Sequence, residues 1–309
     1  MALDPVRTVV IVPARNEAAR IGTCLAALAR QAGPTVAVLV VANNCDDGTE
    51  AVASNAARGL GLNLQVLQAS LPPGAGVGTA RRLGCAQAMT TYPRAASLLC
   101  TDADGVAAPD WIARNRHHLK SHAAVSGRVL PIADELSVLD GIDVTPAEME
   151  GRYARLVLDF YRRSRCGPRW LAGDHGDAAG ASLAMTVAAC KAVGGFAELA
   201  TGEDRDLVRR LKAGGHAVLH AGDVRVTASC RLDGRARDGM AAALRARADR
   251  TDYLIDDALP PARHLIEAAR RGTLEPWPLQ VAPQDRLRAR DLAPHIARLE
   301  RALSMVVAA

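Results

Sequence analysis

Apolar and polar positions follow a regular order along the first two-fifths of the chain. Thr8 to Val12 is a β-branched run that stops at Pro13, and residues 17–31 then place Ile21, Leu25 and Leu28 on one helical face. A second apolar run, Val36 to Val41, is followed by a helical stretch from Asp47 to Arg58, capped by the polar residues before it. Leu62 to Leu67 alternates as a third strand, Thr79 to Met89 reads as a helix, and Ser97 to Cys100 reads as a fourth strand. Strand–helix alternation of this kind predicts an α/β fold: a Rossmann-like, mostly parallel sheet flanked by helices. Such sheets bind ligands beyond the C-terminal ends of their strands. Three of the runs end in polar clusters, Arg15-Asn16-Glu17, Asn43-Asn44-Cys45-Asp46-Asp47 and Asp102-Ala103-Asp104, which a parallel sheet brings to one edge.

The pattern then changes. Pro146 to Arg163 is an amphipathic helix with Met149, Tyr153, Leu156 and Phe160 at helical spacing. Residues 164–181 form a loop rich in Gly, Arg and Asp, and Glu203 to Ala213 is a helix preceded by Thr201-Gly202. From about Ala236 onward the chain reads as Arg/Ala-rich helix broken by Pro260-Pro261, Pro276 and Pro278. The expected division is an α/β domain over residues 1–235 and a helical C-terminal extension over 236–309.

Composition narrows the function classes. The chain has 309 residues, enough for one large α/β domain with an added segment, and its 49% hydrophobic and 23% charged content is ordinary for a globular protein. Aromatics make up only 3%, which argues against a base-stacking surface. The net charge of +5 is carried almost wholly by Arg, with Lys only at 120, 191 and 212. Codon bias is the ordinary explanation; Arg forks that hold phosphates or acidic substrates are the functional one. No basic block is dense enough to make nucleic acid the expected ligand. Seven cysteines without a CxxC pair point to reduced thiols and a cytoplasmic protein. Met1 to Thr8 lacks a signal-peptide layout, and no apolar run reaches membrane-spanning length, so contact with a membrane is expected to be peripheral at most.

Four segments carry candidate chemistry. Asp102 and Asp104 follow an apolar strand, and residues two apart in extended chain point the same way. They can share a divalent cation, Mg²⁺ or Mn²⁺, that neutralises a departing diphosphate; a solvated turn at Asp104-Gly105 is the competing reading. Glu203-Asp204 opens a helix, where acidic residues are favoured electrostatically, but a carboxylate at Asp204 can also act as a general base. Gly74-Ala75-Gly76-Val77-Gly78 lacks the GxGxxG spacing of a dinucleotide site; a glycine loop approaching phosphate or ribose remains open, with Arg81 and Arg82 following it. Asp174, His175 and Asp177 allow a metal trio, but a mobile substrate loop is the preferred reading. His117, His118 and His122 read as a solvated helix face, and Cys166 as a plain loop thiol.

Taken in order, these segments resemble family 2 glycosyltransferases of the GT-A fold. The resemblance rests on Val10 to Glu17, Val40 to Thr49, Thr101 to Gly105, Gly180 to Met185, Val193 to Phe196 and Gly202 to Leu207, and it covers roughly residues 7 to 230. It implies a nucleotide-sugar-binding part over residues 1–130 and an acceptor part over 131–235. It implies an inverting transfer from a nucleoside diphosphate sugar, with a UDP-sugar favoured, to an acceptor hydroxyl. The donor nucleotide would lie against Pro13, Ala14, Arg15, Glu17, Asn44, Asp47, Gly78, Arg81 and Asp102. Asp104, with Asp102, would hold the divalent cation, Asp204 would be the general base, and Glu203 and Ser182 would face the acceptor. Asn43-Asn44 departs from the family's acidic pair, which bears on the choice of base. A further departure is the lack of the family's metal-ligating His after the last core strand, Val224 to Val226; Arg231 and Arg235 stand nearby as alternative positive charge, and His220 reads as structural. The competing readings are a nucleotidyltransferase, a non-catalytic sugar-nucleotide-binding protein of the same fold, and, disfavoured by the missing fingerprint, an NAD-dependent dehydrogenase.

Overall fold

The apolar runs become strands because both of their faces find helices to pack against. The computed structural model describes residues 6–140, 143–164, 170–232, 244–245 and 252–307. The order begins β1 (Thr8–Ala14), α1 (Ile21–Ala29), β2 (Val36–Asn43), α2 (Thr49–Leu60), β3 (Leu64–Ala69), α3 (Val77–Thr91) and β4 (Ser97–Cys100). It continues with β5 (Val106–Ala107), α4 (Trp111–His118), β6 (Ala124–Pro131), α5 (Thr145–Arg163), β7 (Ala172–Gly173), β8 (Leu183–Thr186), α6 (Val187–Ala192), α7 (Glu203–Ala213) and β9 (Val218–Ala228). Two helices close the described chain, here α8 (Ala262–Arg271) and α9 (Leu292–Val307).

Alternate strand residues feed opposite cores. Val10, Val12, Val38 and Val40 pack with Ile21, Leu25 and Leu28 of α1 and with Trp111 of α4. Their neighbours Val9, Ile11, Leu39 and Val41 pack on the other side with Ala80 and Ala88 of α3 and Leu207 and Leu211 of α7. Every residue of β1 is therefore buried. The strands run β3-β2-β1-β4-β8-β6-β9-β5, with β7 pairing β9. Pairs β1–β2, β1–β4, β2–β3, β6–β9 and β7–β9 are parallel; β8 is antiparallel to both neighbours, and β5 is antiparallel to β9. The sheet is mixed but mostly parallel, and the ends of β1, β2 and β4 lie side by side.

Two boundaries differ from expectation. The last strand is much longer than Val224–Val226, because its pairing with β6 continues across a register shift between Gly127 and Arg128. The stretch 164–181 is also not all loop: Ala172–Gly173 joins the sheet beside β9. A third core lies apart from the sheet. Tyr153, Val157, Phe160 and Tyr161 of α5 pack with Leu265, Trp277, Leu292, Ile296 and Leu299. Thus α5 shares its core with the chain beyond residue 252, across the division drawn at 235. Residues 233–243 and 246–251, which include the start of the helical run expected from about Ala236, lie outside the described residues.

Candidate active site

At the end of β1, Pro13 and Ala14 are buried in the sheet while Arg15 is exposed. The chain then turns through Asn16, in the left-handed region at φ 54°. The turn is stitched to the end of β2. Ala18 N–H donates to Asp47 Oδ2 at 2.9 Å, and Glu17 N–H donates to Thr49 Oγ1 at 2.9 Å. Desolvation raises the Asp47 pKa, but the hydrogen bonds from Thr49 and Ala18 outweigh it and hold the carboxyl below its usual range. Asn44 is also left-handed, at φ 50°, and its carboxamide clamps the backbone of Leu71 with bonds of 2.9 and 2.7 Å. Asn44 and Asp47, expected against the nucleotide, are thus engaged by the chain itself.

Asp102 and Asp104 stand at the end of β4, each held by an arginine. Arg81, only 3% exposed, donates from Nη2 to Asp102 Oδ1 at 2.6 Å and from Nη1 to Glu203 Oε1. Burial would lower the Arg81 pKa, but the carboxylates of Asp102 and Glu203 prevail and raise it. On the other side, Arg231 Nη2 lies 3.0 Å from Asp104 Oδ2 while the same guanidinium grips Glu17 through both Nη atoms. Desolvation, reinforced by Asp102, pushes Asp104 up to about 6 against the pull of Arg231.

Asp204 is the second residue of α7. Its Oδ2 accepts from Gly180 N at 2.8 Å and its Oδ1 from Arg205 N at 2.7 Å. Close approach of Gly180 is required, since a Cβ there would run into the Arg81 guanidinium. Arg205 reaches the C-terminal segment, pairing with Asp256 at 3.1 Å and Asp257 at 3.1 Å.

Four expected roles meet a different environment. Arg81, placed at the nucleotide by the resemblance, is buried and bridges Asp102 to Glu203. Glu203, expected on the acceptor side, is 2% exposed and committed to Arg81. Ser182 is 1% exposed and its Oγ accepts from Trp111 Nε1 at 3.0 Å, so its hydroxyl is held inside the fold. Gly78 lies under α7, where a Cβ would stand 2.7 Å from Ala197 O and 2.8 Å from Glu203 Cβ. The glycine run therefore serves helix packing at that position; the small residue admits α7, and no phosphate cradle is needed to explain it.

The other histidines fall outside this edge, whereas two thiols touch it: Cys45 Sγ accepts from Asn16 N at 3.4 Å, and Cys24 Sγ donates to Asp102 O at 3.5 Å. His175 and His220 are buried, Asp174 accepts from Gly222 N at 3.1 Å, and among the described residues no group of three or more His, Cys, Asp and Glu side chains could hold a metal. This overturns the metal-trio reading of Asp174, His175 and Asp177. Asp174 N–H donates to His220 O at 2.9 Å, which ties this part of the loop to β9. His220 is structural: Nδ1 meets Asp177 O at 2.9 Å, so Nε2 accepts from Lys212 Nζ at 2.9 Å. Cys166 and Arg235 lie outside the described residues. Sequence reading missed the Glu203–Arg81–Asp102 chain, the Gly180 N–H on Asp204, and Glu135, which takes Arg20 at 2.6 Å and Cys230 N at 2.9 Å. None carries a local signal, because their partners are far away in the chain.

The donor set fits a cation that arrives with its ligand. Asp102 and Asp104 each keep one carboxylate oxygen outside their ion pairs, and hard oxygen ligands suit Mg²⁺ or Mn²⁺. Two side chains do not complete a coordination shell, so diphosphate oxygens and water would supply the rest.

A doubly covered, mostly parallel sheet of this order is similar to the GT-A fold of glycosyltransferase structures. The chain belongs to glycosyltransferase-like family 2, whose family model matches residues 5–248. Two solved structures share the fold. S. aureus TarS 1-349 in complex with UDP-GlcNAc is 18% identical, with a TM-score of 0.54 over 79% of this chain and 68% of that one. The mannosyltransferase PcManGT from Pyrobaculum calidifontis, in complex with GDP-Man and Mn²⁺, is 18% identical, with a TM-score of 0.56 over 100% of this chain and 78% of that one. A search of curated proteins finds no match. Among the described residues, no helix is long and apolar enough to cross a membrane.

Proposed function

We propose that the chain transfers a hexosyl group from a nucleoside diphosphate sugar, a UDP-sugar first among the donors, to an acceptor hydroxyl with inversion. The observation that carries this reading is the charge chain Asp102–Arg81–Glu203, which ties the diphosphate motif to the helix that presents Asp204. The strand ends from Pro13 to Glu17 and from Asn44 to Asp47 form the rim of the nucleotide pocket. Asp204, held by the N–H groups of Gly180 and Arg205, takes the proton of the acceptor hydroxyl as that oxygen attacks the anomeric carbon. A divalent cation at Asp104 and Asp102 would neutralise the departing nucleoside diphosphate. Arg231, where related enzymes use His, lends its guanidinium to the same charge. One attack without a covalent intermediate inverts the configuration. We place the protein in the cytoplasm.

The first test is a thermal-shift panel of nucleoside diphosphate sugars with and without Mn²⁺. A donor at one hundred times its dissociation constant should stabilise the fold by about 2.7 kcal/mol. No shift with any donor would sink the reading. With a donor found, Asp204→Asn should lower turnover by about 10²–10⁴-fold while donor affinity holds. Near-normal turnover would remove Asp204 from its role.

A further inference from the structure

Away from the catalytic edge, a cavity of about 330 Å³ opens between the start of α8 and the side of α9. Its chemistry is one-sided. Arg263, Arg286 and Arg298 line it with His295 and Gln284, and Asp285 is the only acid in the lining. Elsewhere arginines near the sheet are matched by acids: Arg81 by Asp102 and Glu203, Arg205 by Asp256 and Asp257, Arg210 by Asp206. Here, among the described residues, neither Arg263 nor Arg298 ion-pairs with an acid; Arg263 Nε instead meets His264 Nε2 at 3.1 Å. Arg286 donates one Nη2 bond, to Ile255 O at 2.8 Å, while its Nε is buried with no hydrogen-bond partner.

His295 adds a neutral donor. Its Nδ1 accepts from Ala262 N at 3.2 Å, so the proton of the neutral ring is on Nε2. Burial, then the charge of Arg298, hold its pKa below the usual value against the opposing pull of Asp291, with Arg263 and His264 adding to the lowering, which favours the neutral ring. The lining thus offers three guanidinium forks, a ring N–H and an amide. That set exceeds what the two oxygens of a carboxylate accept, and it suits the three terminal oxygens of a phosphate monoester. The volume stands at the small end of ligand pockets, enough for the phosphate with a short substituent.

We infer that this cavity is a binding site for a phosphate monoester, held by Arg263, Arg286 and Arg298. The inference does not depend on the transferase reading. The ester can come from a soluble metabolite or from a lipid headgroup at a membrane surface, and the two sources are separable.

The test uses the full chain at low ionic strength. Binding of glycerol 3-phosphate is measured by calorimetry, with glycerol as the uncharged control. Co-sedimentation is measured with phosphatidylcholine vesicles with and without phosphatidic acid. Arg298→Ala and Arg263→Ala, both exposed positions, are compared with Arg58→Ala, an exposed arginine on α2 that removes the same charge elsewhere. Arg298→Ala and Arg263→Ala should each weaken binding by about tenfold or more, the size of a lost hydrogen bond to a charged group. Arg58→Ala should leave it unchanged. Binding of glycerol 3-phosphate identifies a soluble source, and binding only to phosphatidic acid vesicles identifies a surface; each supports the site if the cavity variants lose it. The proposal is overturned if neither probe binds, if both cavity variants bind like the wild type, or if Arg58→Ala loses as much as they do. Circular dichroism separates misfolding from lost binding, and Arg298→Gln replaces any alanine variant that fails to fold.

Discussion

At the scale of single residues, the most consequential is Glu203. The family resemblance puts it beside the acceptor, yet it stands at 2% exposure against an arginine that is itself 3% exposed. Removing one partner of a buried ion pair leaves the other charge uncompensated, at a cost of about 3–5 kcal/mol. Asp102 would still hold Arg81, and its side chain is 35% exposed to solvent, so Glu203→Ala is expected near the lower end. Urea unfolding measures this, and a loss well under 1 kcal/mol would show that the pair is not integral. Glu203→Gln retains an acceptor and should lose less. Arg231 is the second informative residue. Its guanidinium joins Glu17 to Asp104, so Arg231→Ala leaves two carboxylates facing the proposed diphosphate without a counter-charge. Nucleoside diphosphate affinity should fall by about tenfold or more. Unchanged affinity, read by calorimetry, would remove Arg231 from the site.

At the scale of elements, the packing of α3 against α7 sets where Asp204 stands. A Cβ at Gly78 would lie 2.7 Å from a backbone oxygen, which cannot swing aside as a side chain can. Alanine gains up to about 1 kcal/mol over glycine in helix propensity, while overpacking costs about 1–3 kcal/mol. Gly78→Ala is therefore expected to destabilise the fold and to lower turnover, because the displaced helix carries Asp204. A melting temperature at or above the wild type would contradict this. The same glycine shows what was legible in the sequence. Periodicity located β1, β2, β4 and α7, since their burial is a property of consecutive residues. It also drew the three polar strand ends together, because a parallel sheet leaves them no other place. A glycine gives no local sign of whether it admits a phosphate or a neighbouring helix. Ser182 and Asn44 raise the same difficulty: their partners, Trp111 and Leu71, are set by tertiary contact. The sequence pattern marks only the end of the long β9 for a related reason, as Gly222-Asp223 interrupts the apolar run while the strand still pairs with β6 on either side.

At the scale of the whole molecule, two cores of the sheet and a third around α5, α8 and α9 must be held together. Lys212 is one tie between them. It is 4% exposed, and its Nζ reaches Trp170 O at 2.7 Å, Trp277 O at 2.7 Å and His220 Nε2 at 2.9 Å. All three partners are acceptors, so the full set of bonds requires the ammonium, whereas burial disfavours it and pulls the pKa down to about 7. The unfolded chain keeps an ordinary lysine, near pKa 10.4. Between those two values the unfolded state binds a proton that the native state has released. Stability must then rise with pH across that window, from about 7 towards 10, and flatten below it. Lys212→Met fills a similar volume but has no titrating group, so this rise should disappear from its pH profile. It also leaves two buried carbonyls and an imidazole without their donor, so the variant should be less stable throughout, by about 1–3 kcal/mol for each acceptor left unpaired and dry. Denaturant midpoints of both proteins at a series of pH values give the answer by difference, which cancels thiols and other groups that titrate in the same range. A variant that keeps the wild-type slope would mean that the ammonium is retained in the folded protein, and that three well-placed acceptors outweigh the desolvation of a buried charge.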